Sequence, residues 1–191
     1  MASKYSKINP GTFAHICNRA VGNEVLFRRN EDYDNWMERV EKFIIPVAEI
    51  HAFSLLENHY HLVLRSLETT SHDKFSKQVN RLQSTYGKGY NNIYSRKGGL
   101  FMSPYNRNPI KDEAHLLWAI WYTHRNPLHH GITENWQDWK YSSYPQYMNN
   151  KPGFVTTKFC IELFGGLDQM KAHHYMNAQA FQMGKHQFPF E

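Results

Sequence analysis

The clearest hydrophobic pattern along the chain is helical. Apolar side chains recur every three or four residues in three long segments, which places them along one side of a helix in each segment. The first predicted helix has Asn30 as its N-cap and stops at Pro46. The second is predicted over 71–86 and the third over 111–125.

Shorter apolar runs predict four strands, at 13–17, 47–56, 59–65 and 99–102. A turn at 57–58 joins the middle two as a hairpin, and residues 18–23 form a turn after the first strand. The order strand, helix, strand, strand, helix, strand is the split β-α-β arrangement. We therefore predict an α+β fold with a ferredoxin-like antiparallel sheet (β-α-β-β-α-β) and added C-terminal helices. That fold class hosts many unrelated activities and does not determine function.

The length of 191 residues suits one domain of ordinary size. Residues 1–11 are polar and end in a Pro-Gly pair, which predicts a flexible N-terminal lead-in. The main domain is predicted over 12–150, followed by a helical C-terminal extension over 151–191. Within that extension, helices are expected at 156–164 and 167–182.

Composition narrows the class of partner. Lys and Arg total 22 against 17 acidic residues, so the net charge is +5, which favours a polyanion such as nucleic acid. The two cysteines form no CxxC pair, as expected in a reducing compartment. The chain has no apolar run of 18 residues and no signal-peptide pattern, so we expect a cytoplasmic protein without a membrane partner.

Two histidines alternate on the third predicted strand. Residues two apart on a strand point to the same face, so His59 and His61 project side by side and can bind one divalent cation. The alternative is two partly buried histidines that only pack. The apolar run 62–64 marks this strand as central, where a pair of imidazoles is a poor choice for packing alone.

A tyrosine and an asparagine lie one turn apart on the third predicted helix. Tyr122 and Asn126 share a side with the small Ala119, whereas the apolar side chains lie opposite. A phenolate can attack a phosphodiester and form a covalent phosphotyrosine, and Asn126 can offer an amide oxygen to a metal. Because Asn126 precedes Pro127, we expect the helix to end there. The alternative for Tyr122 is an ordinary amphipathic tyrosine.

Together these two motifs resemble a known family. The segment NHYHLVL at 58–64 is followed by Y-x-x-x-N-P-x-x-x-G at 122–131. This order and spacing resemble the IS200/IS605-type transposase superfamily, HUH enzymes with a single tyrosine, and most closely its REP-associated tyrosine transposases. The resemblance covers roughly residues 12–150. One departure is Tyr60, which stands where the family usually has a plain hydrophobic residue.

The resemblance implies a set of roles. His59 and His61 would be ligands of Mg²⁺ or Mn²⁺, with Asn126 at the third-ligand position. Tyr122 would be the nucleophile that links to a 5′ phosphate and frees a 3′ hydroxyl. The implied substrate is single-stranded DNA next to a hairpin. A homodimer is a reasonable assembly because one tyrosine has to process two ends, and the alternative is a monomer that acts on paired ends.

Basic residues near these motifs are candidates for phosphate contacts: Arg19, Lys77, Arg81, Arg96, Lys97 and Arg125. The alternative is that many of them are solvated surface charges. Two other functions remain open. One is a module that binds hairpin nucleic acid and has lost catalysis, and the other is a metal-dependent hydrolase in which water attacks and Tyr122 is structural.

Overall fold

One four-stranded antiparallel sheet organises the protein in a computed structural model that describes residues 6–149 and 153–175. The strands lie in the order β2-β3-β1-β4. Their bounds are Phe13–Arg19 for β1, Ala48–Leu56 for β2, His59–Ser66 for β3 and Asn106–Pro109 for β4. The β-α-β-β-α-β order and the central position of β1 and β3 confirm the predicted ferredoxin-like α+β fold.

Helices cover both faces of the sheet. On one face lie α1, Asn30–Phe43, and α2, His72–Ile93, and on the other lies α3, Glu113–His129. A 3-10 turn at Trp136–Asp138 follows, with α4 at Tyr144–Asn149, α5 at Thr157–Leu163 and α6 at Leu167–Tyr175. Because strand residues alternate, Tyr60 faces α1, whereas its neighbours His59 and His61 face α3.

The core between the sheet and the first two helices is aromatic. The fully buried Trp36 of α1 lies 4.6 Å from the Tyr60 ring and 5.1 Å from the Tyr86 ring, measured between centroids. Tyr60 therefore fills an apolar position on the helix side of β3. Its place between the two histidines is explained by this packing.

The start of α1 differs from the prediction. The N-cap residue is Arg29, and Asn30 is the first helical residue. The Asp32 carboxylate accepts hydrogen bonds from the backbone N–H groups of Arg28, at 2.9 Å, and Arg29, at 3.2 Å. The Asn30 side chain accepts a hydrogen bond from the Tyr141 hydroxyl at 2.7 Å, so it is engaged elsewhere.

The fourth strand also differs from the prediction. Residues 99–102 were expected to form it, but β4 is the polar segment Asn106–Pro109. Leu100 is buried in the core, and Phe101 forms an isolated bridge with Ala20. β4 is an edge strand whose side chains are all half-exposed. Its sequence therefore does not alternate between apolar and polar residues, and side-chain spacing could not predict it.

Two elements are longer than their local sequence predicts. Strand β1 continues through Asn18, expected in a turn, whose amide nitrogen donates to Gln83 Oε1 at 2.6 Å. Helix α2 continues beyond residue 86 through Gly87 and Gly89. Glycine weakens a helix, but Gly87 packs against Leu100 and Tyr90 is buried, so tertiary contacts extend α2.

The segments that flank the main domain pack onto it. Ile8, in the predicted lead-in, is buried, and its backbone N–H donates to His72 Nδ1 at 3.2 Å. Val155 bridges Ile50 of β2, which ties the C-terminal helices to the sheet edge. The predicted helix over 167–182 is observed through residue 175, and the rest lies outside the described residues. Within the described chain, no helix combines the length and apolarity needed to span a bilayer.

Removing the N-cap of α3 tests how this helix is anchored. Asp112 accepts a hydrogen bond from the His115 backbone N–H at 2.8 Å. We expect Asp112→Ala to lower the free energy of unfolding by about 1 kcal/mol. In thermal denaturation this equals a fall of about 2–4 °C in Tm. Glu113→Ala, an exposed change in the same turn, is the control, and equal Tm values for both variants would contradict the assignment.

Candidate functional site

The neighbouring strands β1 and β3 present a cluster of polar side chains on the face that α3 covers. Cys17 pairs directly with His61 across the two strands, and Arg19 pairs with His59. The His59 and His61 rings lie 5.1 Å apart, nearly perpendicular at 84°. Alternation along β3 therefore brings the two imidazoles together on one face.

His15 and Cys17 join this site, and sequence reasoning had not singled out either of them. His15 Nε2 lies 2.9 Å from His61 Nδ1, and potential ligand atoms of His15, Cys17 and His61 all lie within 4.8 Å of one another. The alternation His-x-Cys on β1 is visible in the sequence. The sequence does not show that β1 and β3 are neighbouring strands or that Cys17 pairs with His61.

Burial keeps the central imidazoles neutral. Burial, with a smaller contribution from the nearby His115, lowers the pKa of His15 to about 3. Burial also holds the pKa of His61 well below its usual value, with smaller effects from His15, His59 and His130. A neutral imidazole carries a lone pair on one nitrogen, which is the form that binds a metal.

Helix α3 places Tyr122 against these histidines. The Tyr122 ring lies edge-on to His61, at 5.7 Å between centroids, and 6.4 Å from the His15 ring. Its other side stacks on Trp118 at 5.0 Å, and the residue is 4% exposed. The phenol and the two imidazoles, distant in sequence, therefore share one site.

Asn126 lies one helical turn beyond Tyr122, inside the helix. The expectation that α3 ends at Asn126 was wrong, because the helix runs through Pro127 to His129. Both residues are buried, and the backbone N–H of His130 still bonds the Asn126 carbonyl, so packing outweighs the local preference before proline. The Asn126 amide nitrogen donates to the Tyr122 carbonyl at 3.4 Å.

One buried polar atom of His61 and one of Asn126 lack hydrogen bonds. Within the described part of the chain, His61 Nε2 and Asn126 Oδ1 have no hydrogen-bond partner. Buried polar atoms without partners are rare, and an ion is one common explanation. An imidazole nitrogen and an amide oxygen are suitable donors for Mn²⁺, and the oxygen also suits Mg²⁺.

His59 forms the solvent-facing side of the site. Its Nδ1 lies 2.7 Å from Asn58 Oδ1, and its ring lies 4.5 Å from the His130 ring. A cavity of about 200 Å³ opens beside it. The cavity is lined by Asn23, Glu24, Val25, Glu57, Asn58, His59, His130 and Ile132.

The predicted DNA-contacting cations occupy different surroundings. Arg19 is exposed at the end of β1, opposite His59, and therefore flanks the site. Lys77 and Arg81 are exposed on α2, which covers the other face of the sheet. Lys97 is exposed in the loop before β4.

The other two predicted cations have protein partners. Arg96 Nε donates to Glu24 at 2.6 Å, and its remaining nitrogens bond carbonyls of the same loop. The hydrogen bond from Arg96 to Glu24 lowers the pKa of this carboxyl group, and the hydrogen bond from Arg28 lowers it as well. Arg125 donates to the His174 carbonyl at 2.7 Å, between the rings of Trp121 and Trp136. Both guanidinium groups hold the fold together in this conformation.

Comparison with known proteins supports the fold. The chain matches no protein-family model and no curated protein sequence. It is similar to the solved structure of a REP-associated tyrosine transposase bound to a REP hairpin, with 16% sequence identity and a TM-score of 0.65. The match covers 82% of this chain and 94% of that one. The fold expected from the resemblance to that family is therefore confirmed.

Proposed function

We propose that this protein cleaves and rejoins single-stranded DNA next to hairpins, with Tyr122 as the nucleophile. The observation that carries this proposal is the edge-on placement of the Tyr122 ring 5.7 Å from His61, one turn from the partnerless Oδ1 of Asn126. A phenol, two imidazoles and an amide oxygen at one buried site support phosphoryl transfer better than they support packing. The shared fold with a hairpin-bound transposase agrees with this function.

The proposed reaction is a reversible exchange of ester bonds. The Tyr122 oxygen attacks phosphorus and loses its proton, the bond from phosphorus to the 3′ oxygen breaks, and that oxygen takes up a proton as a free 3′ hydroxyl. The products are a 5′-phosphotyrosine and a 3′ end. Attack by another 3′ hydroxyl reverses these steps and joins DNA, because the phosphotyrosine retains the bond energy.

A divalent cation, Mg²⁺ or Mn²⁺, is the cofactor that this proposal implies. His59, His61 and Asn126 would hold it, and when bound it would stabilise negative charge on the scissile phosphate. Burial keeps His61 neutral and able to donate a lone pair. The hydrogen bond to His15 fixes the orientation of the His61 ring, as partners of metal-ligating histidines commonly do.

Charge and shape support a nucleic-acid substrate. Arg19 is exposed beside His59 and can contact a backbone phosphate, and the chain carries a net charge of +5. The remaining candidates, Lys77, Arg81 and Lys97, are exposed at other places on the surface. Because one tyrosine cleaves one strand at a time, we also propose that a homodimer processes two ends.

A covalent adduct is the decisive product. The purified chain is incubated with single strands that contain a hairpin and carry a label at the 3′ end, in Mn²⁺ or Mg²⁺, and resolved on a denaturing protein gel. The proposed function predicts label that migrates with the protein and disappears after protease treatment. Cleavage without attached label would instead identify a hydrolase in which water attacks.

The second candidate function is a hairpin-binding module without cleavage. One observation favours it, since Tyr122 is 4% exposed and stacked on Trp118, so a phosphate can reach the phenol only after a local rearrangement. A gel shift with hairpin DNA in the absence of adduct, in both metals, would identify this function. Comparing binding and adduct formation on one set of oligonucleotides separates the two.

Replacing Asn126 tests the metal site. We expect Asn126→Ala to raise the Mn²⁺ concentration needed for adduct formation about 10- to 100-fold. Thermal stability should also fall, because the variant loses the hydrogen bond from the Asn126 amide to the Tyr122 carbonyl and leaves a small buried cavity. Asn135→Ala, an exposed asparagine beyond α3, is the matched control. An unchanged Mn²⁺ dependence in the Asn126 variant would remove it from the metal site.

A further inference from the structure

The group His15, Cys17 and His61 has the chemistry of a metal site of its own. His15 and Cys17 share a face of β1, and Cys17 lies directly opposite His61. Their possible ligand atoms lie within 4.8 Å of one another, and each residue is at most 5% exposed. In a tetrahedral zinc site neighbouring ligand atoms are about 3.3–3.6 Å apart, so small side-chain rotations are sufficient to close the group.

The donor set differs from that of the Mg²⁺ or Mn²⁺ site. A thiolate with two imidazoles favours ions such as Zn²⁺ and Co²⁺, whereas Mg²⁺ favours oxygen ligands. His15 and His61 are both buried, and a neutral imidazole offers one nitrogen lone pair to a metal. The third donor is a thiol, which a bound Zn²⁺ converts to a thiolate.

The two sites share His61 through different nitrogens. Its Nδ1 faces His15, at 2.9 Å from Nε2 of that ring, whereas its Nε2 has no hydrogen-bond partner in the described structure. A neutral imidazole has one lone pair and one N–H. With the proton on Nδ1, the ring donates to His15 and offers Nε2 to a metal. With the proton on Nε2, it offers Nδ1 to the group on β1.

We propose that His15, Cys17 and His61 form a second metal site, selective for Zn²⁺-like ions, whose occupation excludes the Mg²⁺ or Mn²⁺ site. On binding, the Cys17 thiol releases one proton to solvent and the His61 proton moves from Nδ1 to Nε2. His61 then has no lone pair for the other cation. The inhibitory part of this proposal rests on the proposed function, whereas the binding part does not.

Cobalt binding tests the site without DNA. Metal-free full-length protein is titrated with Co²⁺ and followed by absorption, where Co²⁺ bonded to a thiolate gives a charge-transfer band in the near ultraviolet. We expect the band in the unchanged chain, its loss in Cys17→Ser, and its weakening in His15→Gln. Circular dichroism of each variant establishes that it is folded.

Cys160→Ser is the matched control for the cobalt titration. Cys160 is also buried and also lies beside an imidazole, with its Sγ 3.5 Å from His51 Nδ1. The band should persist in this variant. No band in the unchanged chain, or a band that follows Cys160 instead of Cys17, overturns the proposal. If Cys17→Ser does not fold, the comparison of His15→Gln with Cys160→Ser decides.

Inhibition by zinc tests the exclusion. The rate of covalent adduct formation is measured at a constant Mn²⁺ concentration, with and without Zn²⁺. For each protein, the rate with Zn²⁺ is divided by the rate without it. We expect Zn²⁺ to lower the rate of the unchanged chain at least about tenfold and to have a much smaller effect on Cys17→Ser. Equal inhibition of both would place Zn²⁺ at His59 and His61 and overturn the exclusion. If no adduct forms in any metal, the proposed function fails, and the cobalt band still decides the site.

Discussion

Tyr122→Phe should lose covalent adduct formation and strand cleavage by at least about 10³-fold while still binding hairpin DNA. Loss of a nucleophilic oxygen removes the reaction path itself, which is why such changes are among the most severe in mutant kinetics. The phenylalanine ring keeps the stack on Trp118 and the edge contact with His61. The fold and the DNA surface should therefore persist.

The matched control is Tyr144→Phe, which removes the hydroxyl of another buried tyrosine. Tyr144 lies on α4, packed against Trp136 on the far side of α3, and has no role in the proposed chemistry. Its variant should form adduct at the rate of the unchanged chain. Rates are measured on denaturing gels and binding by gel shift. Full cleavage by Tyr122→Phe would show that water or another residue attacks the phosphate.

Acidification should destabilise the protein steeply between pH 6.5 and about 3. Among the described residues, six histidines are buried with lowered pKa values: His15 and His174, each at about 3, and His51, His61, His115 and His124. Burial is the largest cause in each case. In the unfolded chain these groups bind protons near pH 6.5. The unfolded state therefore binds more protons over this range, and the free energy of unfolding falls as the pH falls.

A hydrogen-bonded relay links two of these histidines, His124 and His174. His174 Nδ1 donates to the Met170 carbonyl at 2.8 Å, so its Nε2 accepts from His124 Nδ1 at 2.9 Å. His124 Nε2 then accepts from the Ser143 hydroxyl at 2.7 Å. The relay assigns one proton to each ring. A second proton on either ring would carry a charge that is buried away from solvent.

The relay predicts how steeply the free energy of unfolding changes with pH. Each buried histidine contributes up to about 1.4 kcal/mol of lost stability per pH unit. We expect His174→Gln to lower the free energy of unfolding near pH 7. The variant should also show a smaller slope of this free energy against pH, because up to one proton fewer is taken up on unfolding. His130→Gln, which changes an exposed histidine, is the control. Denaturant unfolding from pH 7.5 to 4.5 supplies the slopes, and equal slopes for both variants would contradict the buried relay.

Local periodicity determined most of the fold. The hairpin of β2 and β3, the positions of α1 and α3 and the same-face placement of His59 and His61 follow from side-chain spacing over a few residues. The spacing of Tyr122 and Asn126 on one side of α3 is equally local. The two motifs, at 58–64 and 122–131, predicted a family fold, and the comparison with a solved transposase structure confirms that fold.

The errors occurred where long-range packing overrides local preference. Asn126 was expected to end a helix because proline follows it, yet burial on both sides of α3 carries the helix onward. Strand β4 lacks an apolar pattern because the edge of a sheet does not demand one. The DNA contacts expected of Arg96 and Arg125 stay predictions, and in this conformation each guanidinium is engaged by the protein itself.

The sequence by itself determined which residue types were available for the chemistry: a phenol, two alternating imidazoles and an amide at helical spacing. The tertiary structure alone decided that His15 and Cys17 stand beside His61, and which nitrogen of His61 faces them. The physical reason is that periodicity acts within one element, whereas the pairing of β1 with β3 joins residues 46 positions apart. A hydrogen bond between residues so far apart in the sequence forms only when β1 and β3 have paired in the sheet.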